Sequence, residues 1–370
     1  MNAVNRELAR TVFNAFAGKK VLVTGHTGFK GAWLSLWLSE LGAEVYGVSL
    51  AATDSDCIYS QVKEGVFRGD ITLDITDQPA VLKVVEDVQP DVVFHLAAQA
   101  LVRQSYADPW TTLHTNVMGS ASVLEAVRKL SKTCHTIFVT SDKCYRNCEW
   151  LYSYRENDPL GGKDPYSMSK AAAELVAESW RRSYFDKLPQ GSRVISVRAG
   201  NVIGGGDYSS DRLIPDCVRA ALAGQPLVIR SPTATRPWQH VLDCLYGYLV
   251  TAAVVPEQAA TEELESFNFG PADPHAHPVV SVAESFFQHW TQTTPGVVVE
   301  AADANRSEAH YLSVSIEKAQ RLLGWNPVWP FATAVERTAQ WYARHHLEQA
   351  DMLAVSRQQI AEFAQAAQGV

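Results

Sequence analysis

The feature that most constrains the fold is a short apolar run that passes directly into a glycine-rich turn and then into a helix. Residues 20–24 (KVLVT) are typical of a buried strand, and glycines follow at a G-x-x-G-x-x-G spacing from Gly25 to Gly31. Apolar residues then recur at helical spacing as far as Gly42, a typical helix end. Such a turn lets backbone N–H groups approach a pyrophosphate at the positive end of a helix, so the segment predicts a dinucleotide site.

Further strands are predicted at regular intervals along the chain. Residues 44–48 and 91–98 have strand composition, and a polar stretch from Asp70 to Asp77 lies between them. Residues 193–198 and 226–229 are typical of later strands. A strand–helix–strand succession of this kind predicts an α/β fold with a Rossmann-type, doubly wound parallel sheet.

The second half of the chain is expected to build the substrate side of the cleft. A glycine-rich loop from Ala199 to Asp207 follows the strand at 193–198, and such loops belong to the ligand crevice of an open α/β sheet. We therefore expect a mainly dinucleotide-binding part over residues 1–190. A smaller C-terminal α/β substrate-binding lobe is expected over residues 191–370, with strands and helices exchanged between the two parts.

Composition excludes several classes of protein. A chain of 370 residues with 46% hydrophobic and 19% charged residues is typical of a soluble globular protein, and its net charge of −8 argues against nucleic acid or an anionic membrane as partner. No apolar run is long enough for a signal or a membrane span. Six cysteines without paired CxxC spacing favour reduced thiols in the cytoplasm, and we expect no metal site.

Two groups of proton-handling residues stand out. Tyr166 and Lys170 lie four residues apart, so on a helix they share one face, and the ammonium could lower the tyrosine pKa toward that of a general base. Ser141, Asp142 and Lys143 precede them in the chain. The alternative for the first pair is an exposed helix start that carries Tyr and Lys by chance. The alternative for Asp142 and Lys143 is a simple ion pair at a strand end.

The second predicted strand lacks the acid that usually binds a ribose. Ser49 and Leu50 stand in its place, and no Arg or Lys between Gly47 and Gln61 could pair with a 2′-phosphate. NAD is therefore favoured over its phosphorylated form.

Arginines in the second half are candidates for a phosphate pocket. Arg212, Arg230 and Arg236 lie near glycine-rich and aromatic segments, and guanidinium groups bind phosphate bidentately. The alternative for each of them is a solvated surface position.

Taken together, these segments resemble the extended short-chain dehydrogenase/reductases, and within that superfamily the family of CDP-glucose 4,6-dehydratases. The resemblance runs from about Gly18 to about Trp341. It rests on phrases that occur in family order: residues 25–31 (GHTGFKG), 95–99 (HLAAQ), 140–145 (TSDKCY), 160–166 (LGGKDPY), 198–207 (RAGNVIGGGD) and 236–240 (RPWQH).

The resemblance implies a tightly held NAD and a nucleotide-sugar substrate, CDP-glucose. Asn201 and Arg236 should face the nucleotide sugar, with Arg212 and Arg230 as further substrate-binding residues. Asp74 and Ile75 correspond to an adenine-contacting pair. The implied cofactor-binding residues are Gly25, Thr27, Gly28, Phe29, Lys30, Gly31, Asp74, Ile75, Leu96, Ala97, Ala98, Gln99, Asn116 and Thr140.

The implied reaction removes water without net redox change. Tyr166, assisted by Lys170 and Ser141, takes the 4-hydroxyl proton while C4 passes hydride to NAD. One member of the Asp142–Lys143 pair then removes the C5 proton, the other protonates the departing 6-hydroxyl, and hydride returns to C6. Related thymidine-linked dehydratases carry Asp-Glu here, so this chain departs from them at the base.

Other functions stay open from the sequence. A nucleotide-sugar 4-epimerase would use the same Tyr-Lys chemistry, a dehydratase could act on a GDP- or dTDP-linked hexose, and an NAD-binding protein without turnover would keep the fold. The resemblance further implies a cytoplasmic homodimer in which helices near residues 101–129 and 167–185 pair across a two-fold axis. Deoxysugar biosynthesis, as for lipopolysaccharide O-antigen, is the implied pathway.

Overall fold

A computed structural model describes residues 3–229, 232, 234–259, 261–273, 277–290, 295–299 and 311–369. Its strands are β1 Lys20–Thr24, β2 Glu44–Ser49, β3 Phe67–Thr72, β4 Val92–His95, β5 His135–Val139, β6 Val194–Ala199, β7 Val202–Ile203, β8 Leu227–Ile229, β9 Gln239–His240, β10 Ser266–Phe269 and β11 Val297–Val299. Its helices are α1 Ala3–Asn14, α2 Phe29–Glu40, α3 Ile58–Val62, α4 Gln78–Val88, α5 Val102–Ala107, α6 Pro109–Leu113, α7 Ser120–Arg128, α8 Pro165–Ser183, α9 Leu213–Ala223, α10 Val241–Val254, α11 Val279–Gln288, α12 Glu317–Leu323, α13 Phe331–His346 and α14 Met352–Gln368. A π-helical segment, His114–Gly119, connects α6 to α7.

A parallel sheet organises the molecule. In the described part of the chain it has seven strands in the order β10-β6-β5-β4-β1-β2-β3. This confirms the predicted Rossmann-type α/β fold. The strand order reverses between β1 and β4, and ligands of open α/β sheets bind in the crevice beyond the carboxyl ends at such a point. Thr24 and His95, which are register partners, mark this edge of the crevice.

The central strands are apolar because both faces of the sheet are covered. Successive side chains of a strand point to opposite faces, and β1 follows this rule: Val21 and Val23 join one buried cluster, whereas Leu22 joins another. Trp33 and Trp37 of α2 belong to the first cluster and are fully buried. Burying these large side chains fixes α2 against the sheet, and with it the turn that precedes the helix.

Most strand predictions near the site are confirmed, but one is wrong in its bounds and one strand was overlooked. The strand at 20–24 is confirmed, and α2 ends just before Gly42, whose φ is +79°. The strand predicted at 91–98 ends at His95, and beyond it the Ala97 N–H donates to the Thr24 hydroxyl at 3.3 Å. The polar stretch predicted from Asp70 begins inside β3, an edge strand whose alternating exposure hid it.

Both halves of the chain contribute strands to the sheet. Strands β6 and β10 come from the second half and extend the sheet beyond β5. Short parallel pairs, β7 with β9 and β8 with β11, lie outside it. The last helix, α14, packs back on α1, α2 and α3. The boundary near residue 190 stays a prediction.

The described residues also bear on cysteines, metals and membranes. All six cysteines are free, and four of them are buried. Among the described residues, no group of three or more His, Cys, Asp or Glu is arranged to hold a metal ion. Within the same ranges, no helix has the length and apolar character needed to cross a bilayer.

Candidate active site

The glycine turn between β1 and α2 leaves no room for side chains. Gly25 has φ +79°, and a Cβ there would lie 2.7 Å from the backbone N of Ala97. A Cβ on Gly31 would lie 2.1 Å from the carbonyl oxygen of Gly25, and one on Gly28 would lie 3.3 Å from the same atom. Helix α2 begins at Phe29, so its free N–H groups open on the crevice. A dinucleotide pyrophosphate fits such a cradle of bare backbone at a helix N-terminus.

Side chains tie the turn to neighbouring strands. The Thr27 hydroxyl donates to the carbonyl of Leu50 at 3.0 Å and contacts the Ser49 hydroxyl at 2.8 Å. The ammonium of Lys30 donates to the Tyr248 hydroxyl at 3.5 Å. The turn is thus joined to the end of β2 and to α10, which limits its movement.

The predicted adenine-contacting pair follows β3. The Asp74 carboxylate accepts hydrogen bonds from the Thr76 backbone N–H and hydroxyl, each at 2.9 Å, and so shapes its own turn. Ile75 is buried against Gly119, where a Cβ would lie 2.6 Å from the Ile75 side chain. Contact of this pair with a base stays a prediction.

Asn116 fixes the floor of the crevice. Its amide donates to the Gln99 carbonyl at 3.0 Å and to the Ser169 hydroxyl at 2.8 Å, and its oxygen accepts from the Gln99 N–H at 2.8 Å. The loop that carries Leu96, Ala97 and Gln99 is thereby held against α8. Asn116 lies in the π-helical segment, a form often found at functional sites. Contact of Asn116 with a cofactor stays a prediction.

Tyr166 and Lys170 lie on one buried face of α8, as predicted. Asp164 caps the helix by accepting from the Ser167 N–H at 2.9 Å, and the side chains of Tyr166 and Lys170 are 7% and 6% exposed. Burial and the nearby Lys30 ammonium lower the pKa of Lys170 to about 8.

The expected lowering of the tyrosine pKa is wrong. Burial raises the pKa of Tyr166 to about 12, while a hydrogen bond with Ser141 and the charge of Arg212 oppose the rise. The spacing of Tyr166 and Lys170 indicates a nearby ammonium, but it does not show that the phenol loses its contact with solvent. A phenolate in this site therefore depends on further positive charge.

Ser141, Asp142 and Lys143 lie together at the end of β5, where residues 142–144 form a 3₁₀ turn. Asp142 is 1% exposed, and its Oδ1 accepts from the Ser141 hydroxyl at 2.9 Å and lies 3.6 Å from Lys143 Nζ. Its Oδ2 has no hydrogen-bond partner among the described residues. Helix α8 packs against this turn, so the two predicted groups lie on neighbouring elements.

The predicted substrate residues lie on the second half of the chain. Arg212 is partly exposed, and its Nε lies 3.9 Å from Asp207 Oδ2. Asn201 precedes β7 and its carbonyl accepts from the Gln239 N–H at 3.3 Å, while Arg236 precedes β9, the partner of β7. Arg230 lies outside the described residues. The role of each in binding substrate stays a prediction.

Comparison with known families assigns the chain. The sequence model described as GDP-mannose 4,6 dehydratase matches residues 22–338, which covers both the glycine turn and the second half of the site. The chain belongs to this dehydratase family.

Relatives agree with this assignment. A protein named CDP-glucose 4,6-dehydratase from Salmonella typhimurium is 42% identical over 353 residues, which is 95% of this chain and 97% of that protein. Among solved structures, the epimerase Mth375 from Methanothermobacter thermautotrophicus has a TM-score of 0.76 at 26% identity, covering 92% of this chain and 97% of its own. A dTDP-glucose 4,6-dehydratase from Bacillus anthracis, solved in complex with NAD, has a TM-score of 0.73 at 23% identity over 89% of this chain and 98% of its own, a likeness of fold.

The sequence did not single out two buried charged residues beside the candidate site. Glu174 lies four residues after Lys170 on α8, and Arg198 lies on β6. They form an ion pair at 2.8 Å beside Thr140. The spacing of Glu174 from Lys170 was a signal, because it places both on one face of the helix. Nothing in the sequence signalled that Arg198 would be the partner.

Proposed function

We propose that the chain is a hydro-lyase that converts CDP-D-glucose to CDP-4-dehydro-6-deoxy-D-glucose with NAD as a recycled cofactor. The observation that carries the proposal is the 42% identity, over nearly the whole of both chains, to a CDP-glucose 4,6-dehydratase. The site supports it, since α8, which carries the buried Tyr166 and Lys170, packs against the turn that holds Asp142 and Lys143.

The glycine turn is the proposed holder of the NAD pyrophosphate. Gly25, Gly28 and Gly31 present bare backbone at the start of α2, and Thr27 anchors the turn to β2. The Bacillus anthracis dehydratase of the same fold was solved with NAD. When bound, NAD supplies the hydride acceptor for C4 of the sugar and the hydride donor for C6.

Tyr166 is the proposed base for the 4-hydroxyl proton. Its phenol is buried, so the proton it takes is shielded from solvent. Ser141 and Arg212 act in the needed direction, because both lower the tyrosine pKa against the effect of burial. Lys170, on the same helix face, adds a cation that favours the phenolate.

Asp142 and Lys143 are the proposed pair for elimination. Once C4 is a ketone, the C5 proton is acidic. One member of the pair takes this proton, the other gives a proton to the 6-hydroxyl, and water leaves across C5 and C6. When hydride reaches C6, the first member returns a proton to C5. The unpartnered Oδ2 of Asp142 supports this role, because within the described residues nothing occupies it.

The Asp142–Lys143 pair also favours a dehydratase over a 4-epimerase, which needs no acid and base beside C5 and C6. The test is mass spectrometry of the products after incubation with NAD and, separately, CDP-, GDP-, UDP- and dTDP-glucose. Loss of one water from CDP-glucose alone is the expected result. Unchanged mass with an inverted C4 would establish an epimerase instead. Loss of water from a GDP-, UDP- or dTDP-linked sugar would show that the substrate carries a different nucleotide.

A cytoplasmic homodimer is the proposed assembly, serving deoxysugar synthesis for lipopolysaccharide O-antigen. Large apolar side chains are exposed along the helices from α5 to α8: Tyr106, Trp110, Met118, Met168 and Leu175. Burying such a patch against a second copy would remove it from water. Light scattering at micromolar concentration should give the mass of a dimer, and a monomer would reject the assembly.

A further inference from the structure

A buried ion pair lies one helical turn beyond Lys170. The side chains of Glu174 and Arg198 are 4% and 6% exposed. The guanidinium donates from Nε and Nη2 to the two carboxylate oxygens of Glu174, each at 2.8 Å, and the Thr140 hydroxyl donates to the same carboxylate. A bidentate pair of this kind fixes orientation as well as distance.

The pair joins the segments that carry the reacting side chains. Glu174 shares a helix face with Lys170, and Thr140 directly precedes Ser141 and Asp142. Movement of α8 relative to the end of β5 would therefore break the contact between Glu174 and Thr140. We call the contacts of Glu174 with Arg198 and Thr140 the clamp. The clamp links the helix that carries Lys170 to the segment that carries Asp142.

Arg198 extends the clamp to a third segment. Its Nη1 donates to the Tyr145 hydroxyl at 2.8 Å, and that hydroxyl donates to Asn268 Oδ1 at 2.7 Å. Two residues after Arg198 comes Gly200, where a Cβ would lie 3.0 Å from Asp142 Oδ2. The backbone that walls the Asp142 carboxylate is thus anchored by the same guanidinium.

Glu174 also supplies the carboxylate whose negative charge raises the pKa of Lys170. Burial and Lys30 of α2 lower the pKa of Lys170 to about 8, while Glu174 and the Cys144 thiol of the 3₁₀ turn act to raise it. His95 of β4 faces the same ammonium, and burial lowers the pKa of its imidazole to about 3, so it is neutral there. Without Glu174, Lys170 would be charged over a narrower range of pH.

We propose that Glu174, clamped by Arg198, is a positioning residue of the reaction that holds Lys170 and Asp142 in one arrangement. The proposal rests on the proposed function, in which both residues act on the sugar. Glu174 itself lies behind Lys170 and works through it.

The kinetic test compares Glu174→Gln with Glu265→Gln. Glu265 pairs with Arg181 of the same helix at 2.6 Å, also largely buried, and so provides a matched ion pair away from the cleft. Glu174→Gln should lower kcat roughly tenfold near pH 8, leave KM within about threefold, and move the alkaline loss of kcat down by about one pH unit. Glu174→Asp, which keeps the charge, should restore the pH profile. Glu265→Gln should keep both kcat and profile.

A second measurement needs no substrate. Lys170→Met should increase the free energy of unfolding, because it removes the cost of burying the charged ammonium. Chemical unfolding measures this increase, which should fade as pH rises above about 8 and Lys170 of the natural chain becomes neutral. In the Glu174→Gln background the fading should begin about one unit lower, and in the Glu265→Gln background it should not move. Should Glu174→Gln fail to fold, Glu174→Gln/Arg198→Met removes the unpaired buried cation and is measured in its place.

Two results would overturn the proposal. One is a folded Glu174→Gln protein with the kcat and pH profile of the natural chain, and the other is a fading of the Lys170→Met gain at an unchanged pH. If the natural chain dehydrates no hexose nucleotide, the proposed function fails, while the unfolding titration still decides whether Glu174 controls Lys170.

Discussion

The ammonium of Lys143 lies 3.6 Å from Oδ1 of Asp142, while Oδ2 of the same carboxylate has no hydrogen-bond partner among the described residues. Among the described residues, the only hydrogen bond to this carboxylate comes from Ser141, at 2.9 Å. The proposed acid and base for elimination thus lie on adjacent residues, one buried and the other one-third exposed.

We expect Asp142→Asn to separate oxidation from elimination. The variant should still oxidise C4, seen as reduced NAD in a single turnover, but lose water at a rate about 10² to 10⁴ lower, as is typical when a general acid or base is removed. Lys143→Met provides the comparison in the same pair. The variant that also fails to exchange the C5 proton with deuterated water has lost the base. Normal water loss in both variants would remove the pair from the mechanism.

Tyr166→Phe should bind NAD and fail to oxidise the sugar. The phenyl ring keeps the buried packing, since the tyrosine side chain is only 7% exposed, but it has no oxygen to take a proton. A loss of about 10² to 10⁴ in the rate of cofactor reduction is expected. Stopped-flow absorbance of the reduced cofactor measures it. A near-normal rate would show that another group is the base.

The depressed pKa of Lys170 has an effect on stability with a definite sign. Burial lowers its pKa from 10.5 to about 8 in the folded protein, so between these values the unfolded chain binds more protons. The cost of burying the charge is therefore complete below pH 8 and fades as pH rises toward 10.5. Lys170→Met should raise the free energy of unfolding at neutral pH by at most about 3 kcal/mol. A variant less stable than the natural chain at pH 7 would contradict this.

The buried carboxyl of Asp243 should make the protein less stable as pH rises toward neutrality. Burial raises the pKa of its carboxyl from 3.8 to about 7, although the N–H groups of Val328 and Trp329 act against the rise. The folded protein thus binds more protons between these pH values, and its stability falls as pH increases through them. Asp243→Asn should remove this slope, on the order of 4 kcal/mol at most. Chemical unfolding at pH 5 and pH 8 measures it, and an unchanged slope would assign the effect elsewhere.

Local patterns account for what the sequence predicted well. The glycine turn is determined by residues close together in the chain. Gly25 has a positive φ, and Gly31 approaches the Gly25 carbonyl so closely that a side chain would not fit. The shared face of Tyr166 and Lys170 follows from helical spacing alone.

Features that depend on distant parts of the chain were not predicted. The partner of Glu174 is Arg198, which lies on another element and far along the chain. The raised pKa of Tyr166 was also not predicted, because burial depends on the whole fold. Its effect outweighs the Ser141 hydrogen bond and the charge of Arg212, which lower the pKa.

The most direct test of the proposed reaction uses CDP-glucose that carries deuterium at C4. Internal hydride transfer predicts a product that has lost one water and holds the deuterium at C6, with no exchange into solvent. A dehydrated product without deuterium at C6, or an intact sugar with an inverted C4, would contradict it.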